Sequence, residues 1–367
     1  MDIKEASSAA ECVLEELESI GKHLGGYIGG SLTAGLGNST SDIDLFVIVE
    51  AAPDLRERVK QYVAYGKRVD VETFTIEEAN SMLDLIENFE VLPDQLVKLD
   101  SSLKEPMDWY TRLVTSIPLG QADAVNNLKA RAFEILPKAQ HLLVSYWALY
   151  SDGYLEDFNG AIDPNSNPGT ACMAAQQMVA LAGKSLLAAR GDVYYPPKWV
   201  YSQIDRTLKD HFAVKDFRTF QTGLWYEQGR TSDDVVAFVQ LLWCLAVLEL
   251  FYPESTNNLA LMEQNTLKQS NPEVFRRARG GVPFKVVPGS ILLHFELERQ
   301  VQLSFFLFLI WTIADGESED SIIELARRYL NGIGMKMESN FDSNVRKALS
   351  VLLEKDLVST NSPVSRK

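Results

Sequence analysis

Residues 29–50, GGSLTAGLGNSTSDIDLFVIVE, restrict the fold most, because a glycine-rich turn leads into an apolar strand whose start carries two acids. Alternate side chains of a β-strand point to opposite faces, so Asp42 and Asp44 share one face of the sheet. Like charges placed this way repel each other unless a cation lies beside them. Hard carboxylate oxygens suit Mg²⁺, which also bridges nucleotide phosphates. The pattern therefore predicts a metal and phosphate site where this strand begins.

Neighbouring residues extend this prediction. Gly29 and Gly30 let the backbone approach a ligand closely, and Ser31 is placed as the N-cap of the following turn, where free N–H groups favour a phosphate. A third acid is expected on a neighbouring strand, and KRVDVETFT offers Asp70 and Glu72, which share one face. Taken singly, each residue also fits a polar turn before a strand with solvent-facing acids. The complete set favours the metal site and leaves both candidates for the third acid open.

Hydrophobic periodicity predicts an α+β chain of three domains. Residues 1–118 alternate helix and strand patterns, as in a small mixed-sheet domain, with helices near 5–22 and 53–65. Residues 119–270 are helical almost throughout and predict a helical-bundle middle domain. Residues 271–360 place two strands, VPFKVV and SILLHFEL, before three helical segments, the first near 300–314, which predicts a winged-helix-like C-terminal domain.

Composition narrows the classes of partner. The 367 residues carry a formal net charge of −15, which argues against nucleic acid and anionic membrane surfaces. Three scattered cysteines and four histidines predict neither a disulfide framework nor a zinc site, and they fit a reduced, cytoplasmic setting. The longest apolar run, residues 235–252, is interrupted by Gln240 and Glu249, so a buried helix is the better interpretation than a membrane span.

The motif resembles the polymerase-β-type nucleotidyltransferase superfamily over residues 24–75: Gly-Ser, ten residues, Asp-Ile-Asp-Leu, then an acid on a later strand. The resemblance implies that Gly30 and Ser31 contact the triphosphate of ATP or another NTP. The residues that it implies as ligands of two Mg²⁺ ions are Asp42, Asp44 and Asp70. Asp70 lies in the usual hydrophobic-Asp-hydrophobic setting, and in this role it activates the acceptor oxygen as general base.

The helical middle offers three cationic side chains as candidate contacts of a triphosphate: Lys184, Arg190 and Lys198. A helix followed by Pro-Pro-Lys-Trp is similar to the C-terminal helical domain of aminoglycoside-type nucleotidyltransferases, which closes over the nucleotide. This resemblance implies Lys198 as a phosphate contact. From the residues alone, Lys198 is equally well a solvated lysine beside Trp199, whereas Lys184 and Arg190 favour structural roles.

The last module has a hydrophobic helix ending in Trp-x-x-x-Asp-Gly, a second helix, and a third ending in Leu-x-x-Lys-x-Leu. It resembles the peptide chaperone of pyrroloquinoline quinone biosynthesis, the recognition element of enzymes that modify ribosomally made peptides (RiPP biosynthesis). The resemblance implies that a leader peptide adds as a strand to the VPFKVV edge and packs on residues 341–353. A closing cap for the helical domain is the main alternative, since DNA binding needs a basic recognition helix.

Together these patterns predict a Mg²⁺-dependent nucleotidyltransferase that moves AMP from ATP onto a hydroxyl or carboxylate of a precursor peptide and releases pyrophosphate. One alternative is the same chemistry on a small, aminoglycoside-like acceptor. A catalytically silent protein that binds a nucleotide or a peptide is the other.

Overall fold

A computed structural model describes residues 2–18, 23–51, 58–92, 96–162, 167–264, 274–295 and 299–360. The chain divides into two compact units. The first unit comprises Met1–Glu90, Val97–Leu142 and Val193–Ser202, and the second comprises Val91–Leu96, Leu143–Asp192 and Gln203–Lys367. The division into three domains at residues 118 and 270 stays a prediction.

The first unit contains a mixed sheet with strand order β3-β4-β2-β1-β5. Its strands are β1 (His23–Gly29), β2 (Ile43–Val49), β3 (Val59–Ala64), β4 (Lys67–Thr75) and β5 (Ile117–Leu119). Strands β2 and β4 are parallel, and the other neighbours are antiparallel. The predicted mixed sheet is thereby confirmed.

The predicted helix at 53–65 is wrong over its described part. Residues 59–64 form strand β3, which pairs antiparallel with β4 at the end of the sheet, while residues 52–57 lie outside the described residues. Pairing with β4 outweighs the helical spacing, because every residue from 59 to 64 has a partner on that strand.

The two faces of the sheet have different chemistry because side chains alternate along each strand. One face is apolar and is covered by helix α1 (Ile3–Glu18), in a core that includes Ile43, Leu45, Val69 and Val71. The opposite face carries the acids together with the aromatic rings of Tyr27, Phe46 and Phe74, and Trp109, which comes from a helix, packs beside Phe74. Strand β2 therefore anchors the core with one set of side chains and presents charge with the other.

Helices frame the acidic face of the sheet. After α2 (Gly30–Thr33), α3 (Ile76–Asn88) starts at a capping box in which Thr75 and Glu78 bond each other's backbone N–H. Helix α4 (Leu96–Val114) contributes Trp109 and Arg112, whose guanidinium carbon lies 5.8 Å from the centre of the Phe46 ring. α4 thus faces the strands that carry the acids.

The middle of the chain is helical, as predicted. Its helices are α5 (Asp123–Glu134), α6 (Leu136–Ala161), α7 (Pro168–Ala189), α8 (Val200–Thr207), α9 (Val214–Gln221), α10 (Leu224–Glu227) and α11 (Ser232–Phe251), with 3-10 helices at Pro197–Trp199 and Ser255–Gln264. Among the described residues, α11 alone is long and apolar enough to cross a membrane, and 72% of its most apolar window is buried inside the protein. Such burial is typical of a core helix and is no sign of a membrane protein.

The last part of the second unit has strands β6 (Phe275–Arg277), β7 (Val282–Val287), β8 (Ser290–Phe295), β9 (Arg299–Ser304) and β10 (Val358–Thr360), and helices α12 (Phe305–Ile313), α13 (Glu319–Gly332) and α14 (Phe341–Glu354). Strands β7, β8 and β9 form an antiparallel sheet, and β10 pairs with β6. The helix predicted near 300–314 begins at Phe305, because residues 299–304 pair with β8. The winged-helix assignment stays a prediction.

Candidate functional site

Side chains that are distant in sequence line one cavity of about 950 Å³ in the first unit. Four of the predicted site residues belong to its lining: Ser31, Asp42, Asp44 and Lys198. The wall opposite the strands consists of α4, with Lys104, Glu105, Asp108 and Arg112, and Tyr194 closes one side. The cavity therefore brings the glycine turn, the carboxylate strand and the Pro-Pro-Lys-Trp segment together.

The third acid follows from strand register. In the parallel pair β2–β4, Asp44 is the direct partner of Asp70, whereas Glu72 is the partner of Phe46, two residues further along β2. Burial raises the pKa of Asp44, attraction by Arg112 partly offsets that effect, and repulsion by Asp70 raises the pKa again. The geometry puts Asp70, rather than Glu72, directly beside Asp44.

Gly30 lies in contact with the carboxyl group of Asp44. Its φ of +82° belongs to the left-handed region, and a Cβ added there would lie 1.9 Å from Asp44 Oδ2. The predicted placement of Ser31 as N-cap is wrong, because Gly29 keeps an extended backbone and α2 begins at Gly30. Ser31 thus belongs to the first turn of α2 and lines the cavity from there.

Lys198 reaches the cavity because its loop is fastened at two points. The Tyr194 side chain is buried in a small cluster with Ala34 and Leu36, which follow the glycine turn. The Tyr195 backbone N–H donates a hydrogen bond to Thr111 Oγ1 on α4 at 3.2 Å. Lys198 Nζ lies 5.6 Å from the centre of the neighbouring Trp199 ring.

The other two cations considered from the sequence have structural partners in the second unit. Lys184 is buried, its Nζ donates to Gln203 Oε1 at 2.7 Å, and burial lowers its pKa to about 7. Arg190 forms an ion pair with the fully buried Glu249 at 2.8 Å. Neither of them lines the cavity of the first unit.

Two arginines hold the acids of the site. Arg112 Nη1 lies 3.2 Å from Asp44 Oδ1, and Arg112 Nε donates to Asp108 Oδ2 at 3.1 Å. Arg68 Nη2 contacts both Asp42 Oδ2 and Asp70 Oδ2. Burial lowers the pKa of the Arg112 guanidinium, but the attraction of Asp108 and Asp44 outweighs it and the net shift is upward. Arg112 therefore stays charged among the carboxylates.

The cavity-wall residues of α4 and Arg68 were not predicted from the sequence, although their spacing carries a signal. Ser101, Lys104, Glu105, Asp108 and Arg112 follow the spacing i, i+3, i+4, i+7 and i+11, which places them on one face of α4. The spacing alone does not say which surface that face meets. Arg68 stands two residues before Asp70, so strand alternation already places the two on one face.

The donor set fits a hard divalent cation by its chemistry. Carboxylate oxygens are the ligands that Mg²⁺ prefers, and Asp70 Oδ1 is buried without a hydrogen-bond partner among the described residues. In the same part of the chain, no group of three or more His, Cys, Asp or Glu side chains is arranged to hold a metal ion. The acids instead contact Arg68 and Arg112, so a metal that binds Asp42 Oδ2 or Asp44 Oδ1 competes with a guanidinium group.

A family model described as a nucleotidyltransferase domain matches residues 11–99 of the chain. A nucleotidyltransferase domain is therefore present here, as the resemblance to the polymerase-β-type superfamily predicts, and such domains generally use an NTP and a divalent metal. The match includes Gly30, Asp42, Asp44 and Asp70 and ends before Lys198. No curated protein matches the chain. The resemblance of the last module to a peptide-recognition element stays a prediction.

Proposed function

We propose that this protein is a Mg²⁺-dependent nucleotidyltransferase that moves AMP from ATP onto a ribosomally made precursor peptide and releases pyrophosphate. One observation carries the transfer chemistry: the parallel register sets Asp44 beside Asp70, with Gly30 against the same carboxyl group. Adjacent carboxylates of a partly buried pair repel each other. A divalent cation that is coordinated by both carboxylates neutralises their charge and removes this repulsion.

The roles of the residues follow from their positions. Asp42, Asp44 and Asp70 hold Mg²⁺, which when bound neutralises the triphosphate and polarises the phosphate that is transferred. Gly30, a residue that the resemblance implies as a phosphate contact, lets the backbone pack against the Asp44 carboxyl group, and Ser31 offers a hydroxyl at the cavity wall. Lys198 supplies positive charge from the opposite side of the nucleotide.

Asp70 is the group that we assign as general base. Its Oδ1 has no hydrogen-bond partner among the described residues and is shielded from solvent, so it can accept the proton of the acceptor hydroxyl. The acceptor oxygen attacks the α-phosphorus of ATP, the bond to the β-phosphate oxygen breaks, and pyrophosphate leaves. Glu72 is the reserve candidate, but its position two residues further along β4 removes it from the start of β2.

The proposal of a peptide acceptor is supported by a groove in the last part of the second unit. A groove of about 680 Å³ is lined mainly by apolar side chains of α14 and of the segments around it. They include Phe305, Leu330, Met335, Met337, Phe341 and Val351. In this groove the contributing strand end is Ser304 of β9, so an added peptide strand would pair with β9 rather than with the predicted VPFKVV edge of β7.

Mass spectrometry tests the transfer. Purified protein is incubated with Mg²⁺, each of the four NTPs and each short peptide that the neighbouring genes encode, and the expected product is one such peptide plus one nucleoside monophosphate. The Asp44→Asn variant is nearly isosteric and is expected to lose the product while keeping its circular dichroism spectrum. Absence of any adduct with wild type contradicts transfer to this peptide and leaves the small-molecule acceptor and the silent binding protein as the interpretations.

A small cationic acceptor is the second candidate, and Glu105 and Asp108 on the cavity wall favour it. These two acids would pair with amino groups of an aminoglycoside-like molecule that enters beside the nucleotide. Transfer to such a molecule in the absence of peptide supports this candidate. Dependence on a peptide that binds the α14 groove supports the first one.

A further inference from the structure

The position of Arg68 is fixed by the same register that pairs the acids. Ile43 is the partner of Val69, and Asp44 is the partner of Asp70, so the parallel register places Arg68 beside Asp42. Because residues 68 and 70 are two apart on β4, both side chains lie on the acidic face of the sheet. Arg68 is therefore built into the row of acids.

One nitrogen of Arg68 serves two carboxylates. Nη2 contacts Asp42 Oδ2 and lies 3.2 Å from Asp70 Oδ2, so a single guanidinium neutralises acids that come from two strands. These oxygens belong to two of the acids that we assign to the metal. A cation that coordinates both Oδ2 atoms competes with the guanidinium for the same negative charge and displaces it, because two cations that contact one oxygen repel each other.

The Arg68 side chain is free to leave. It is 50% exposed, and its partner Asp42 is 41% exposed, so the displaced guanidinium returns to water with little loss. Exposed ion pairs of this kind contribute little to stability, which makes the exchange for a divalent cation favourable.

We propose that Arg68 is a stand-in cation: its guanidinium bridges Asp42 and Asp70, keeps the two acids together, and is exchanged for the divalent metal when the site is loaded. This inference rests on the proposed function. Arg68 is then a positioning residue that sets the metal concentration at which the site fills. It takes no part in the bond that forms.

Mn²⁺ binding to the nucleotide-free protein tests the exchange, measured as the electron paramagnetic resonance signal of free Mn²⁺. Arg68→Ala removes the competitor, so we expect Mn²⁺ to bind about threefold to tenfold more tightly than to wild type, the factor that matches one or two exposed ion pairs. In EDTA the same variant is expected to melt at a lower temperature, because Asp42 and Asp70 then repel each other. A residue with a purely structural role would not raise metal affinity while lowering stability.

Lys67→Ala is the matched control. Lys67 is the neighbour of Arg68 on the opposite face of β4, pairs with Glu5 at 3.5 Å, and its loss changes the net charge by the same amount. We expect it to bind Mn²⁺ like wild type. Arg68→Lys keeps the charge on a shorter-reaching, strongly hydrated ammonium group, so intermediate affinity is expected, and this variant decides the question if Arg68→Ala does not fold.

The outcomes separate the two claims. If Arg68→Ala, or Arg68→Lys in its place, binds Mn²⁺ no more tightly than Lys67→Ala while wild type still transfers a nucleotide, the exchange is wrong and the proposed function stands. If wild type transfers no nucleotide to any acceptor, the proposed function fails. Tighter Mn²⁺ binding by the Arg68 variants then still supports the exchange at these carboxylates.

Discussion

Two arginines of this protein are each held among acceptor groups, and they differ in what surrounds them. Arg112 in the first unit bonds Asp44 and Asp108, and its side chain lines the cavity at 20% exposure. Arg277 in the second unit is 1% exposed and donates to Gln240, to the carbonyl oxygens of Thr312 and Ala237, and to Asp315.

The difference shows how to separate a site from a structural cluster. The N–H groups of Arg277 donate hydrogen bonds to nearby acceptors, and its guanidinium carbon lies 5.4 Å from the centre of the Trp311 ring. Around Arg112, Asp108 Oδ1 and Asp70 Oδ1 are buried without hydrogen-bond partners among the described residues. Unsatisfied buried oxygens cost free energy unless a ligand satisfies them, so the cluster of Arg112 points to function and that of Arg277 to stability.

Two glycines give the largest expected contrast. Gly30→Ala places a methyl group against Asp44 Oδ2, and a misplacement of about 1 Å at reacting groups lowers rates on the order of a hundredfold, so we expect at least this loss of transfer rate. Gly281→Ala meets the Phe295 ring at 2.6 Å and Trp311 at 2.9 Å, so we expect lower stability and an unchanged rate per folded molecule. Urea unfolding and initial rates measure both quantities.

Gly66→Ala is the control for backbone strain in that comparison. Its φ of +72° resembles that of Gly30, yet an added Cβ meets no atom within 4 Å. Strain alone therefore lowers stability by about 1 kcal/mol and leaves the transfer rate intact. Equal rate losses in Gly66→Ala and Gly30→Ala would show that contact with Asp44 is not the cause.

The arginines themselves give the next contrast. Arg277→Met removes the buried donor to Gln240 Oε1 and to the carbonyl oxygens of Thr312 and Ala237, and we expect the free energy of unfolding to fall by about 3 kcal/mol. Asp315 keeps its ion pair with Arg279. Arg112→Met removes the support of Asp44 and Asp108 beside solvent, so we expect roughly a tenfold loss of transfer rate with a smaller loss of stability. If the two variants lose rate and stability in the same proportion, the distinction between the clusters is wrong.

The last contrast concerns pH in the second unit. Burial lowers the pKa of Lys184 to about 7, against 10.5 for an ordinary lysine, so between these values the unfolded chain binds one proton more than the folded chain. The free energy of unfolding is therefore expected to rise with pH over this window, by at most about 1.4 kcal/mol per pH unit. In Lys184→Met this contribution disappears. Thermal unfolding at pH 7 and pH 9 measures the difference.

The sequence predicted the elements that have strong local signals. Strands β2 and β4 show alternation and apolar runs, and α3 has the Thr75 cap, so their positions agree with the structure. Strand β3 was missed because residues 53–65 carry apolar side chains at helical spacing, and only pairing with β4 makes part of that segment a strand.

For the candidate site, the sequence yielded the acids and the glycine turn but not their neighbours. Lys184 and Lys198 looked alike as candidate phosphate contacts, and tertiary structure buries one and places the other on the cavity wall. The roles of Arg68, Asp108 and Arg112 depend on which strand or helix each one faces. Such contacts join residues far apart in the chain, and no local pattern encodes them.

The contact between Gly30 and Asp44 also offers a marker for genome reading. A Cβ at position 30 would lie 1.9 Å from Asp44 Oδ2, so any relative with a larger residue there has to move the aspartate. The residues that a translated gene places at the positions of Gly30 and Asp44 thus show whether a relative can keep this contact. A relative that keeps the aspartate but carries alanine at the glycine position is expected to be a pseudoenzyme.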